Sequence, residues 1–191
     1  MQKIMLLVSL CCLTLACSHS PKKNYFYLTP QAATESESKS EITQLFGIGP
    51  VEIAEYLTRS QIIDNQTDNT LNMAENAYWA EPLDKSITRV VALNLTQLNS
   101  ERSFVNFPWR SDSKPHHSLR IRVDNLSRTN NKATINATWE LVDNDAKSTL
   151  LRRNFIRTTA AGSGAKNLAQ AYSQLLADLS NEMDVELNKI R

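Results

Sequence analysis

Histidine, serine and carboxylate side chains could carry metal or nucleophilic chemistry in this chain. His116 and His117 are adjacent at the start of a predicted strand, whereas His19 lies far away in a polar N-terminal stretch. Because neighbouring side chains of a strand point to opposite faces, these two imidazoles cannot both bind one metal ion without distortion. The histidine spacing therefore does not predict a metal site.

Ser163 is the candidate nucleophile, between Gly162 and Gly164. This spacing lacks the nucleophile-elbow pattern, and the preceding strand is typical of an antiparallel meander, so a helix-opening turn explains the glycines better. Four carboxylates could serve as acid or base but show no pairing pattern: Glu52, Glu55, Glu81 and Asp84. The sequence favours a protein that is not an enzyme, and a hydrolase that uses Ser163 remains an alternative.

Cysteine chemistry concentrates at Cys17. Lys3 and the 12-residue uncharged run 4–15 are typical of a signal peptide, which we assign to residues 1–16. The run is too short for a membrane-spanning helix, which needs about 20 apolar residues. The stretch Leu13-Thr14-Leu15-Ala16-Cys17 then resembles the lipobox of bacterial lipoproteins.

The lipobox resemblance implies cleavage between Ala16 and Cys17, with diacylglycerol on the Cys17 thiol and an acyl chain on its amino group. We predict no other cofactor. An ordinary secreted protein cut near Ala16 is the alternative. Ser18 after the cysteine favours the outer membrane, because an aspartate there is the usual inner-membrane signal in enteric bacteria; this is a property of lipoproteins in general.

The predicted mature protein has 175 of the 191 residues, and loss of Lys3 lowers its formal charge from +1 to zero. That balance favours neither nucleic acid nor an anionic membrane surface as the main partner. Cys17 is its single cysteine, so no intramolecular disulfide can form. The length fits one domain, which we place at residues 25–191 after a lipidated tether at 17–24.

Strand patterns dominate the first half of the domain. Aromatic residues at 25–28 predict a first strand, and residues 31–41 predict a solvated loop. The segment 45–53 predicts a strand in which Pro50 indicates an edge or a strand start. Residues 62–63, 71–73 and 104–109 predict further short strands.

The second half contains the clearest patterns. Pro82 opens an amphipathic helix that reaches Leu98, and a second long helix follows Gly164. Between them, alternation over 119–123, 134–141 and 149–158 predicts an antiparallel meander with one apolar and one polar face. We therefore predict a single-domain α+β fold, a mostly antiparallel sheet with two main helices on one face.

Arginines lie at positions of the meander that we interpret as outward-facing. They could form a basic patch, for which Arg120, Arg122 and Arg153 are the predicted partner-binding residues. A solvated face balanced by nearby acidic residues is the more favoured alternative. The full set is Arg120, Arg122, Arg128, Arg152, Arg153 and Arg157. The alternation also places Trp139 in the core, and core or sheet-edge positions are expected for Trp79 and Trp109.

Three sequence blocks resemble the ABC-type transport auxiliary lipoproteins, the PqiC-like family. The blocks span 47–63 (GIGPVEIAEYLTRSQII), 79–83 (WAEPL) and 107–110 (FPWR), and residues 25–28 resemble the first strand of that family. Ala54 and Ser60 stand where the family often has proline. The likeness covers nearly the whole predicted mature chain.

This resemblance implies an outer-membrane lipoprotein that acts as a docking adaptor in a system for intermembrane lipid transport. Its implied partners are a periplasm-spanning protein with MCE domains and, through it, an inner-membrane permease. The resemblance also implies a homo-oligomeric ring. The alternative is a structural or assembly lipoprotein of another envelope complex.

Overall fold

The computed structural model describes residues 21–31, 42–67 and 69–190. Eight strands and two α-helices follow one another in the described chain, with short 3₁₀ helices at Glu55–Thr58 and Ser111–Ser113. The strands are β1 (Asn24–Phe26), β2 (Gln44–Ile53), β3 (Gln61–Thr67), β4 (Thr70–Trp79), β5 (Arg102–Asn106), β6 (His117–Thr129), β7 (Lys132–Asp143) and β8 (Ser148–Ala160). The helices are α1 (Leu83–Leu98) and α2 (Ala165–Leu187).

The strands form two sheets, with the orders β1-β4-β3 and β5-β2-β6-β7-β8. The pairs β3/β4, β6/β7 and β7/β8 are antiparallel, and they include the longest pairings. Strand β1 runs parallel to β4, and β2 runs parallel to both β5 and β6. The predicted α+β class is confirmed, while the division into two sheets was not predicted.

The predicted meander is confirmed as β6, β7 and β8. Asn130 and Asn131 connect β6 to β7 with φ angles of 51° and 57°. Positive φ at both central residues is the geometry of a tight hairpin turn that matches the twist of the strands, and asparagine tolerates it well. The local sequence therefore sets the register of this hairpin.

The core lies between the five-stranded sheet and the helices. α1 contacts β2 and β5, whereas α2 contacts β7 and β8. Trp139 is completely buried at the centre, as predicted, and its indole Nε1 donates a hydrogen bond to Glu182 Oε1 at 3.0 Å. We call the side of this sheet under the helices the helix face and the other side the open face.

Strand β2 corrects one prediction. Pro50 indicated an edge or a strand start, but β2 lies inside the sheet, between β5 and β6. Pairing with β5 ends at Ile48, and pairing with β6 shifts register between Ile48 and Val51. An irregularity of this kind accommodates proline because no ladder hydrogen bond is needed there.

A second correction concerns the strand predicted at 104–109. Strand β5 ends at Asn106, so Phe107, Pro108 and Trp109 belong to the loop that follows. The loop predicted at 31–41 lies mostly outside the described residues.

Candidate functional sites

Cys17, Ala16 and His19 lie outside the described residues. The described chain begins at Pro21, four residues after Cys17. Acylation of Cys17 therefore stays a prediction. None of the helices in the described ranges combines the length and the apolar character needed to cross a bilayer.

The six arginines of the meander do not form one patch. Arg120, Arg122 and Arg152 lie on the open face, where Glu140 stands opposite both Arg120 and Arg152. Arg153 pairs in register with the buried Trp139 and is therefore on the helix face. Arg157 pairs with Ile135 and lies on the helix face as well. Arg152 and Arg153 could not share a face, because consecutive side chains of a strand alternate.

The open face is polar and nearly balanced in charge. Arg152 Nε donates to Glu140 Oε1 at 2.6 Å, and Arg122 Nε donates to Asp124 Oδ1 at 3.0 Å. Arg120 has no ion pair with the described residues. A concavity of about 390 Å³ opens here, lined by charged and polar side chains that include all three arginines. Such a surface suits water or a polar partner better than a hydrocarbon chain.

Arg128 is buried, against the interpretation that it faces outward. Its guanidinium donates from Nε to the Asp64 carbonyl at 2.9 Å and from Nη1 to the Gly162 carbonyl at 2.7 Å. A further bond joins Nη2 to the Asp64 carboxylate, and Nη1 also reaches the Gly164 carbonyl at 3.3 Å. Arg128 thus fastens β6 to β3 and to the turn before α2, which is a structural role.

A register shift explains the reversed orientation of Arg128. Pairing between β6 and β7 slips between Val123 and Asn125, so the alternation of faces changes there. Residues 119, 121 and 123 are buried before the shift, and 126 and 128 after it. The apolar Leu126, out of step with Leu119, was the sequence signal that could have revealed this.

Arg153 stands at the margin of the helix face. Its Nη2 lies 3.7 Å from Glu186 Oε1 on α2, and its side chain is half exposed. Lys189, through its hydrogen bonds, is the main cause that lowers the pKa of the Glu186 carboxyl. Arg153 therefore belongs to a surface separate from that of Arg120 and Arg122.

The histidines take different partners. His116 Nδ1 contacts the Asp145 carboxylate, while the ring of His117 lies 6.2 Å from that of Phe46. The hydrogen bond from His116, followed by that from Lys114, lowers the pKa of Asp145. Within the described ranges, no group of three histidine, cysteine or acidic residues is placed to hold a metal ion.

Ser163 lies in the bend before α2. Its carbonyl accepts a hydrogen bond from Asn167 Nδ2 at 2.8 Å. Among the residues that the structure describes, no histidine or carboxylate forms a hydrogen bond with the Ser163 hydroxyl. The surroundings of Ser163 are those of a helix-opening turn.

The loop after β5, which the sequence pattern predicted as part of a strand, carries partly exposed aromatic side chains. We call it the aromatic loop (residues 107–110). The rings of Phe107 and Trp109 meet edge to face at 5.2 Å between centroids, and Phe107 is 46% exposed. The Phe107 amide donates to the Ile48 carbonyl at 2.8 Å, which holds the loop on β2.

Two glycines of β2 make room for this loop. A Cβ on Gly47 would lie 2.7 Å from the Trp109 ring, and one on Gly49 would lie 2.9 Å from Phe107 Cβ. Gly49 also has φ +110°, a conformation that other residues rarely adopt. Gly47 and Gly49 of the first sequence block therefore leave the space that Trp109 and Phe107 of the third block occupy.

The second block joins the same arrangement. The Trp79 amide donates to the Ser60 carbonyl at 2.7 Å, which connects it to the end of the first block. At the start of α1, Arg89 donates to Glu81 Oε1 from Nε at 3.2 Å and to the Leu28 carbonyl at 3.0 Å. The hydrogen bond from Arg89 is the main cause that lowers the pKa of Glu81.

These three blocks, arranged around one α+β core, define the class of protein. Residues 26–184 match the family described as the ABC-type transport auxiliary lipoprotein component, and the chain belongs to this family. The family resemblance predicted from the blocks is confirmed.

Two relatives extend the match to nearly full length. Each is called intermembrane transport lipoprotein PqiC, one from Escherichia coli (strain K12) and one from Shigella flexneri. Each is 26% identical over 190 residues, which cover 93% of this chain and 96% of the relative.

Solved structures share the fold. The crystal structure of an uncharacterised protein has a TM-score of 0.70 at 20% identity, covering 87% of this chain and 99% of that one. A protein from Xanthomonas campestris has a TM-score of 0.62 at 16% identity, covering 84% and 92%. At these identities the likeness concerns the fold alone.

Proposed function

We propose that this chain is an outer-membrane lipoprotein, acylated at Cys17, that serves as a docking adaptor rather than a catalyst in an MCE/ABC-type system for intermembrane lipid transport. The observation that carries the proposal is the match, over nearly the full length of the chain, to the two intermembrane transport lipoproteins. The chain also belongs to the family of transport auxiliary lipoproteins. The transported molecule is a phospholipid or another hydrophobic molecule.

Docking would use exposed groups on a rigid scaffold. Arg120 and Arg122 lie on the open face, at the centre of a well-packed sheet, and Arg153 lies across the edge strand β8 from them. Arg120 is available for an acidic group of the partner, because no described carboxylate pairs with it. Arg153 would contact a different part of the assembly, since the two faces cannot be covered by one flat surface.

A homo-oligomeric ring is part of the proposal. The five-stranded sheet ends in two edge strands, β5 and the 13-residue β8. Edge strands present unpaired backbone N–H and C=O groups that can pair with another chain. The mass of the purified protein in solution, measured by light scattering, tests this part: a monomer at all concentrations would contradict it.

The proposed partner is tested by cross-linking and co-purification of the tagged full-length chain from membranes. Recovery of a protein with MCE domains, and of a permease with it, is the expected result. Recovery of a different envelope complex would favour the assembly role, and failure to recover any MCE-domain protein would refute the proposal.

A charge reversal sharpens the experiment. Arg120→Glu is expected to reduce recovery of the MCE-domain partner, because it reverses the charge of an open-face cation that forms no ion pair with the described residues. Arg110→Glu is the matched control, since Arg110 is also exposed but lies outside this sheet, in the aromatic loop, and pairs with Asp112. Equal recovery with both variants would show that Arg120 is not part of the docking surface.

A further inference from the structure

Two tyrosines near the start of the described chain are its most exposed aromatic residues. Tyr25 is 62% exposed and Tyr27 is 61% exposed, ahead of Phe107 at 46%. Phe26 packs against the core, and Leu28 is fully buried in it. The alternation therefore directs both tyrosines away from the core while their neighbours hold the segment in place.

Basic residues stand beside these rings. Lys22 and Lys23 are exposed and form no ion pair with any residue that the structure describes. Lys23 Nζ lies 5.3 Å from the centroid of the Tyr78 ring, and the Tyr25 and Tyr78 rings are 5.9 Å apart. We call this group the tyrosine surface: Lys22, Lys23, Tyr25, Tyr27 and Tyr78.

The tyrosine surface is fixed to the rest of the domain. β1 pairs with β4, and the Leu28 carbonyl accepts a hydrogen bond from Arg89 on α1. The Thr29 amide donates to Ser173 Oγ on α2 at 3.1 Å. Whatever the tyrosine surface contacts will therefore set the orientation of the whole domain.

The chain length limits what the tyrosine surface can contact. Tyr25 follows Cys17 by eight residues, which span at most about 29 Å when fully extended. An acyl-bearing Cys17 would sit at the bilayer surface, so the backbone of Tyr25 stays within that distance of it. Tyrosine and lysine are also residue types that lie at the boundary between bilayer and water.

We propose that the tyrosine surface rests against the bilayer in which Cys17 is anchored, with the rings among the lipid headgroups and the two lysines on lipid phosphates. This proposal rests on the acylation of Cys17 within the proposed function. A lipid surface fits better than a protein partner because of the short tether and because the two ammonium groups, which form no ion pair with the described residues, complement phosphate. The domain would then face the periplasm in one fixed orientation.

Single-cysteine labelling of the acylated chain tests the contact. Tyr25→Cys and Tyr27→Cys would each carry an environment-sensitive fluorophore, because the acylated Cys17 thiol is blocked. The matched control is Ile156→Cys on β8, since Ile156 is equally exposed at 65%. The proteins would be reconstituted in vesicles of phosphatidylethanolamine and phosphatidylglycerol that contain no other protein.

The expected result is emission shifted to the blue at positions 25 and 27, with iodide quenching several-fold weaker than at 156. Nitroxides on the lipid headgroup should quench 25 and 27 and leave 156 unaffected. Equal iodide quenching at all three positions in vesicle-bound protein would overturn the proposal. That result is also expected if a protein partner, absent from these vesicles, covers the two tyrosines in the cell.

Flotation of the vesicles and the mass of the N-terminal peptide separate the two claims. If the protein is acylated and floats but the labels at 25 and 27 are accessible to iodide, the membrane contact of the tyrosine surface is refuted and the lipid anchor is retained. If the protein is not acylated, both the lipid anchor and the membrane contact of the tyrosine surface are refuted. Lys22→Glu with Lys23→Glu in the acylated chain should raise iodide quenching at 27, and no change would argue against phosphate contacts.

Discussion

Replacement of Arg128 by alanine is expected to destabilise the domain strongly. The Arg128 side chain is 8% exposed, and its guanidinium binds two carbonyls of the turn before α2 as well as Asp64. Breaking a buried ion pair costs about 3–5 kcal/mol, because hydrogen-bonding groups are left without partners. Asp64 is 36% exposed, so water can take over part of its interaction, while the turn carbonyls cannot be compensated as easily.

Arg152→Ala is the matched control for Arg128→Ala. Arg152 also pairs with a carboxylate on the same sheet, but its side chain is 66% exposed. An exposed ion pair contributes about 0–1 kcal/mol, so this variant should unfold almost like the parent protein. Both substitutions remove one guanidinium and one ion pair, so the comparison measures the effect of burial together with the backbone hydrogen bonds that Arg128 alone makes.

Urea denaturation of the chain from residue 17, with Cys17→Ala in the background of all variants, measures the difference. Arg128→Ala should lower the free energy of unfolding by about 3–5 kcal/mol and the melting temperature by roughly 6–20 °C for a domain of this size. Losses for the two variants within about 0.5 kcal/mol of each other would refute the structural role of Arg128.

Two further predictions concern a glycine and a carboxylate. Gly49→Ala should cost about 1–3 kcal/mol, because its φ of +110° is strained for alanine and its Cβ would lie 2.9 Å from Phe107 Cβ. Gly164→Ala, at φ +87° with no atom within 4 Å, should cost less, and the order of the two urea midpoints checks this. Arg89 lowers the pKa of Glu81, so the ionised carboxylate stabilises the fold above its unfolded pKa and the contribution is lost on acidification through the folded pKa. The stability deficit of Glu81→Gln should therefore shrink between neutral pH and about pH 3, and a deficit independent of pH would contradict the ion pair.

Local patterns predicted the elements whose packing is itself local. The meander β6–β8 follows from period-two alternation and turn residues, and α1 and α2 follow from apolar stripes with Pro82 and Gly164 at their starts. These signals need no knowledge of distant partners.

Long-range pairing could not be predicted in the same way. The residue pattern of β2 does not indicate that β2 pairs in parallel with residues 102–106 on one side and 117–123 on the other. Pro50 therefore wrongly indicated an edge strand. The same limit affected the arginines: a register shift near Asp124 turns Arg128 inward although its spacing matches that of Arg120 and Arg122. The predicted basic patch was therefore only partly correct. Arg120, Arg122 and Arg152 share the open face, whereas Arg128, Arg153 and Arg157 do not.

The proposed anchor at Cys17 underlies both the proposed transport role and the tyrosine surface, and one fractionation measurement tests it directly. Wild-type protein should sediment with the outer membrane, and its N-terminal peptide should carry diacylglycerol and an acyl chain on Cys17. Cys17→Ala should appear in the soluble periplasmic fraction, without acyl label and with an unchanged melting temperature. A Cys17→Ala protein that stayed in the membrane fraction with its acyl labelling intact would contradict the account.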